Sequence, residues 1–174
     1  MLNKFLKINK GFTLLEVIIA IFIISVGVGG VAAMMPSLIS GSSLNQSRLT
    51  AAYLAQEGIE IVRSIRDTNW LEDHYGGTPV DWNDGLDPCA SDCEVDYTFI
   101  AESLPLLPAY GSGRYLNIDS NGLYGYDGSV RTKFKRKITV EENSDILTIT
   151  VNVYWDDRGK SYEFPVQEKL YKWY

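Results

Sequence analysis

A chain of 174 residues, 45% hydrophobic and 12% aromatic, has material for one packed domain plus an appendage and is too apolar for a disordered tail. Its 16 basic and 22 acidic residues give a formal net charge of -6, and Lys4, Lys7 and Lys10 precede the first acid, so the remainder is more negative still. Such a body lacks the basic face that phosphates demand, and no nucleic-acid partner is expected.

The basic stretch Met1 to Gly11 leads into an apolar run from Phe12 to about Met35, in which only Thr13, Glu16 and Ser25 are strongly polar. As a helix, a run of that length spans a bilayer. Lysines precede it, whereas Ser37, Ser40, Ser42, Ser43, Asn45 and Gln46 follow it before Arg48, the next charge. The positive-inside rule therefore places the leader in the cytoplasm and the body outside. A secretory signal has a shorter apolar region, of about 7 to 15 residues, before a small-residue cut. The small residues Val31 to Ala33 keep that alternative open, beside an ordinary uncleaved anchor. Glu16 is the anomaly, because a carboxylate inside a bilayer costs several kcal/mol unless it is neutralised or paired.

Lys10, Gly11, Phe12, Thr13, Leu14, Leu15 and Glu16, standing ahead of an apolar helix, resemble the class III signal of type IV pilins and of the related type II secretion pseudopilins. The resemblance implies that a prepilin peptidase cuts after Gly11 and methylates the new N-terminus at Phe12. Glu16 then becomes the fifth mature residue and pairs with the N-terminal amine of a neighbouring subunit. Two opposite charges sharing a low-dielectric site lower one another's burial penalty, so this role also accounts for the anomalous acid. The implied partners are the peptidase, other pilin or pseudopilin subunits through the N-terminal helix, and the membrane, with no cofactor. The implied location is a single-pass cytoplasmic (inner) membrane protein with an extracytoplasmic C-terminal domain, reaching the cell surface in a pilus after assembly.

Beyond the apolar run, Leu54, Gly58, Ile61 and Ile65 recur at three- and four-residue spacing, with Ala55, Ile59 and Val62 beside them. This stripe predicts an amphipathic helix continuing to about Arg66. Gly27 to Gly30 and Pro36 are expected to loosen or kink it, and Ser40 to Ser43 offer a second break. The segment Ala51 to Trp70 resembles the minor pilin branch that includes type IV pilus modification proteins. The expected divisions are a leader at 1–11, a transmembrane or filament-core helix half at 12–36, an amphipathic half at 37–66, an acidic variable loop at 67–94 and a β-sheet region at 95–174.

Asp67 to Asn69 read as the helix exit, followed by an acidic, glycine- and proline-rich region to about Glu94. Asp81, Asp84, Asp87 and Asp92 raise the question of calcium, but Gly85 falls one residue too early for the calcium-loop pattern. No metal is assigned, and calcium stays open. Cys89 and Cys93 are the only cysteines; outside the cytoplasm they favour a disulfide, since structural zinc needs about four ligands and His74 is the single histidine. Closing so small a loop, the bond contributes modestly. "DSNG" at Asp119 to Gly122 reads as a β-turn.

The C-terminal half reads as antiparallel sheet. Ile146 to Trp155 alternates apolar and polar residues, "DDRGK" turns the chain into Ser161 to about Lys172, and Lys133 to Glu141 joins through "ENSD". Val95 to Ala101 is a further expected strand, and Pro165 marks the last one as an edge or a bulge. "RTKFKRK", Arg131 to Lys137, reads as a solvated strand face, with a specific anionic partner as the alternative. The expected fold is α+β and pilin-like: a long N-terminal helix, transmembrane then amphipathic, packed on a C-terminal antiparallel β-sheet. No nucleophile elbow, phosphate loop or histidine pair is present, and no enzyme is expected. The functional readings are a minor pilin, a secretion pseudopilin, or a membrane-anchored binding module using Trp70, Tyr75 and Trp82.

Overall fold

The computed structural model describes residues 11–77, 79–100, 107–111 and 113–172; Lys4, Lys7 and Lys10 lie outside them, as does Ala101. Helix α1 runs from Leu14 to Tyr75. At its start the Thr13 Oγ1 accepts the Glu16 backbone N–H at 3.2 Å. That is the N-cap half of a capping box, and it places the Glu16 acid in the first turn, where the helix dipole favours negative charge.

The expected breaks do not interrupt α1. Gly27 to Gly30, Pro36 and Ser40 to Ser43 are all helical. The serines find acceptors inside the helix instead of capping it: Ser25 donates to the Ile21 carbonyl at 2.7 Å, Ser37 to Met34 at 2.8 Å and Ser40 to Pro36 at 2.7 Å.

The chain divides into two compact units, Met1–Ser43 and Leu44–Tyr174. In the first, residues 11–39 are exposed on every face of the helix. The second is the α+β body. Its main sheet takes strands β4 (Phe134–Asn143), β5 (Ile146–Asp157) and β6 (Lys160–Tyr171) in that order, all antiparallel. Before them, β1 (Asn117–Ile118), β2 (Tyr124–Gly125) and β3 (Val130–Arg131) form a small sheet in the order β2-β1-β3. Its hairpin turns at "DSNG", where Gly122 N–H donates to the Asp119 carbonyl at 3.2 Å and Gly122 takes φ +84°.

The alternation read in β5 holds. Leu147, Ile149, Val151, Val153 and Trp155 are buried with Phe134, Ile138 and Val140 of β4, and they share one core with Ala51, Leu54, Ala55, Ile59, Ile61, Val62 and Ile65 of α1. Gly58 sets the closeness of the contact: a Cβ there would lie 3.2 Å from Arg136 Cδ, Ile138 Cδ1 and Val151 Cγ1. Pro165 sits opposite Asn152 on β6, an edge strand whose ladder runs to β5 alone among the described strands.

Two expected boundaries are wrong for identifiable reasons. Asp67 to Asn69 are not the exit of α1, because the buried Asn69 side chain donates to the Trp82 and Asp84 carbonyls at 3.3 and 2.9 Å rather than capping its own helix. The helix runs on to Tyr75. The described part of the expected strand Val95 to Ala101, residues 95–100, is not a strand: Tyr97–Ile100 is a 3-10 turn. Asp96 Oδ1 accepts both the Thr98 N–H at 3.1 Å and the Thr98 hydroxyl at 2.6 Å, and this local pairing turns the chain away from a ladder. Cys93, just before it, forms isolated bridges to Ala109 and Ile138.

Ile61 is 1% exposed at the centre of the helix–sheet contact. Ile61→Asp should destabilise the C-terminal unit by about 3 kcal/mol or more, by burying an unpaired charge. Tyr53→Asp, on the exposed face of the same helix, should change stability by about 0.5 kcal/mol at most. Thermal melting of the full chain in detergent compares the two.

Candidate functional site

The first candidate site is the start of α1. Phe12 and Leu14 are each 80% exposed, Thr13 caps the helix, and Glu16 stands one turn in. Among the described residues no cation pairs with the Glu16 carboxylate; the nearest positive influence is the helix N-terminus itself. Gly11, Phe12 and Glu16 therefore lie close together in the chain, on a segment that is exposed throughout among the described residues. From Leu14 the helix is long and apolar enough to cross a membrane, and that part of it has no buried residues. Residues 6–32 match the family of the prokaryotic N-terminal methylation motif. The match supports a class III prepilin-type signal in this segment. It also supports a subunit of the pilin or pseudopilin kind, processed by a prepilin peptidase, and the apolar helix behind the signal supports membrane anchoring. No curated protein and no solved structure matches the chain.

A second candidate is the acidic loop. Cys89 and Cys93 form a disulfide with both residues fully buried. The bond closes on Asp92, whose φ of +67° turns the chain back. Cys93 then exchanges hydrogen bonds with Ile138, N–H to carbonyl at 2.8 Å and the reverse at 3.0 Å. The clip thus fastens the loop to β4 rather than merely closing itself. Asp81, Asp84, Asp87 and Asp92 are not gathered around a common point, and no group of three or more possible metal ligands occurs among the described residues. Asp92 instead accepts the Thr139 hydroxyl at 2.6 Å and the Lys137 ammonium at 3.2 Å.

The loop aromatics do different jobs. Trp82 is buried in the core, and its carbonyl receives Asn69; Trp70 is half-buried and stacks on His74 at 4.3 Å; Tyr75 is 80% exposed. Trp70 and Trp82 line a cleft of about 530 Å³ with Asp73, His74, Pro79, Val80, Asp81 and Lys172. Tyr75 is not among its walls.

Sequence reasoning missed the buried charges. "RTKFKRK" is not wholly a solvated face: Arg136 is 0% exposed, between the buried Phe134 and Ile138 on the core side of β4. Its guanidinium donates to the Leu54 carbonyl at 2.9 Å and the Val95 carbonyl at 2.6 Å, with Glu57 at 3.4 Å. It therefore joins α1, β4 and the loop through three acceptors. Buried Glu94 is held by Arg114, through its N–H at 2.7 Å and its Nε at 2.6 Å. The available clue was the two-residue period, which puts Arg136 in phase with Phe134 and Ile138.

The Thr139 hydroxyl, followed by Lys137, holds the Asp92 carboxyl below the usual range. A depressed acid stabilises the fold above its unfolded pKa, about 3.9, and loses that contribution as pH falls through the lower folded value. Below about pH 4 the native chain should therefore lose stability more steeply than Asp92→Asn. Melting temperatures followed from neutral pH to about pH 2.5 measure the difference.

Proposed function

We propose that this chain is a minor pilin, a structural subunit that primes assembly of, or is built into, a type IV pilus-like filament. The observation that carries the reading is the conjunction of the methylation motif at 6–32 with an apolar helix exposed on every side and an acid, Glu16, without a counter-ion among the described residues. A helix of that kind needs lipid or other helices around it, and its acid needs an external cation.

In this reading a prepilin peptidase cuts between Gly11 and Phe12 and methylates the Phe12 amine. The leader lies in the cytoplasm, as its lysines favour, and the C-terminal unit lies outside. The subunit waits in the membrane through the first part of α1. During assembly, Glu16 pairs with the N-terminal amine of a neighbour, which lowers the burial cost of both charges and fixes the axial register. The Thr13 cap has a supporting part, since it sets where the helix begins relative to that new amine.

The mature chain should begin at Phe12 with a methylated amine, as intact-mass analysis would read. A mature N-terminus near Ala33 or Ser40 would mean an ordinary secretory cut and would sink the reading. Glu16→Ala and Glu16→Gln should both be cleaved normally, because the scissile bond is untouched, yet both should be depleted in sheared filaments. Glutamine keeps the shape but loses the charge that matches an amine. Cleavage is checked by mass and incorporation by quantifying the subunit in purified filaments beside the native protein; native-level incorporation of both variants contradicts the pairing role.

A further inference from the structure

The end of the main sheet nearest the β5–β6 turn carries a cleft of about 230 Å³, away from the N-terminal signal. Its walls are Tyr110, Tyr115, Tyr154, Trp155 and Tyr162, with Lys133, Lys135, Asp156 and Ser161. The strand register sets Lys135 beside Tyr154 and Asp156 beside Ser161, whereas Trp155 and its partner Tyr162 belong to the core-facing side of the sheet. We propose that this cleft binds an acidic saccharide, a sugar ring resting on Tyr110 and Tyr154 with its anionic group on Lys135.

The charge argument comes from which cations are already matched. Lys137 pairs with Asp92 at 3.2 Å, and Lys133 donates to the Ser47 hydroxyl at 2.7 Å with Asp157 at 3.9 Å. Arg131 and Lys135 instead sit over the Tyr115 ring, at 3.8 and 4.5 Å from its centre, and neither has a carboxylate partner among the described residues. In a chain of net charge -6, Lys135 is a wall cation matched to no acid among the described residues, while the one wall carboxylate, Asp156, accepts the Ser161 hydroxyl at 2.6 Å. An anion placed on Lys135 gains charge-assisted hydrogen bonds without first breaking an ion pair.

The saccharide argument comes from the walls. Tyr110 and Tyr154 offer flat apolar faces edged by hydroxyls, and a sugar ring has the matching pattern of a C–H face with hydroxyls around its rim. A purely apolar ligand would leave the hydroxyls and ammonium groups without partners. Two walls are fixed before any ligand arrives. Tyr154 accepts the Asn152 amide at 3.1 Å, and Tyr110 covers Gly113, where φ is +68° and a Cβ would lie 2.4 Å from the Tyr110 hydroxyl. Trp155 and Tyr162 stack at 5.5 Å with their planes 14° apart. The small cleft and acidic body disfavour a nucleic-acid strand, which needs a basic groove along several phosphates.

The proposal does not rest on the filament reading, and its failure would leave the processing and assembly of the N-terminus untouched. The full chain in detergent would be titrated calorimetrically with trigalacturonate and 3′-sialyllactose, with methyl-esterified trigalacturonate and lactose as neutral counterparts, and with a twelve-residue oligothymidylate. At least one acidic saccharide should bind, at least about tenfold more tightly than its neutral counterpart. Lys135→Gln should weaken that binding about tenfold with an unchanged melting temperature, Lys135→Arg should restore most of it, and Gly113→Ala should weaken it by displacing Tyr110. The proposal is overturned if neither acidic saccharide binds, if neutral and acidic forms bind alike, if Lys135→Gln keeps native affinity, or if the oligothymidylate binds more tightly than both saccharides.

Discussion

Apolar surface that the chain cannot cover by itself is the constraint on which everything else depends. From Phe12 to Ile39, every residue of the described segment is exposed, whereas the same helix between Ala51 and Ile65 carries one stripe of fully buried side chains. Removing apolar surface from water stabilises by roughly 25 cal/mol per Å², so the first segment is costly in water and stable only among lipids or other helices. The second segment meets that requirement internally, against β4 and β5. One continuous helix thus serves two environments, and the sequence separates them by pattern: apolar all round in the first, a stripe in the second.

This division explains where the polar groups sit. In the first segment the only ionisable side chain is Glu16, placed in the first helical turn beside the cap, where the backbone already supplies partial positive charge. In the C-terminal unit the buried charges are tied at once to partners. Arg136 reaches two carbonyls and Glu57, and Glu94 is gripped by Arg114. Arg66 donates to the Tyr171 carbonyl at 2.9 Å, joining α1 to the end of β6. Removing one member of such a set would strand the other in a poorly solvated place, so these contacts specify how loop, helix and sheet meet.

Features governed by short-range rules were legible in the sequence. The stripe of Leu54, Ile61 and Ile65, the alternation of Ile146 to Trp155 and the turns at "DSNG", "ENSD" and "DDRGK" are all where local pattern puts them. The methylation motif was legible because it is itself a linear string of residues, within 6–32. What failed depended on distant partners. Asn69 looked like a helix terminator, but Trp82 and Asp84 use its side chain; Asp96 sat in an apolar stretch that looked like a strand, but it turns the chain through Thr98. Arg136 looked solvent-facing by charge, although its phase with Phe134 and Ile138 said core. Period outranked residue type there. The aromatic cleft was invisible for a related reason: Tyr110 and Tyr115 come from loops, and only the folded chain sets them beside Tyr154 and Tyr162.

The central claim is that the surface from Phe12 to Ile39 finds its burial outside the chain, in lipid before assembly. A carbene-generating label carried on lipid acyl chains, activated in membranes containing the native protein and mapped by mass spectrometry, tests it directly. The account predicts label on all faces of the helix between Leu14 and about Met35, and none on the stripe of Leu54, Ile61 and Ile65. Label confined to one face of the first segment, or recovery of the mature protein without that segment, would contradict it.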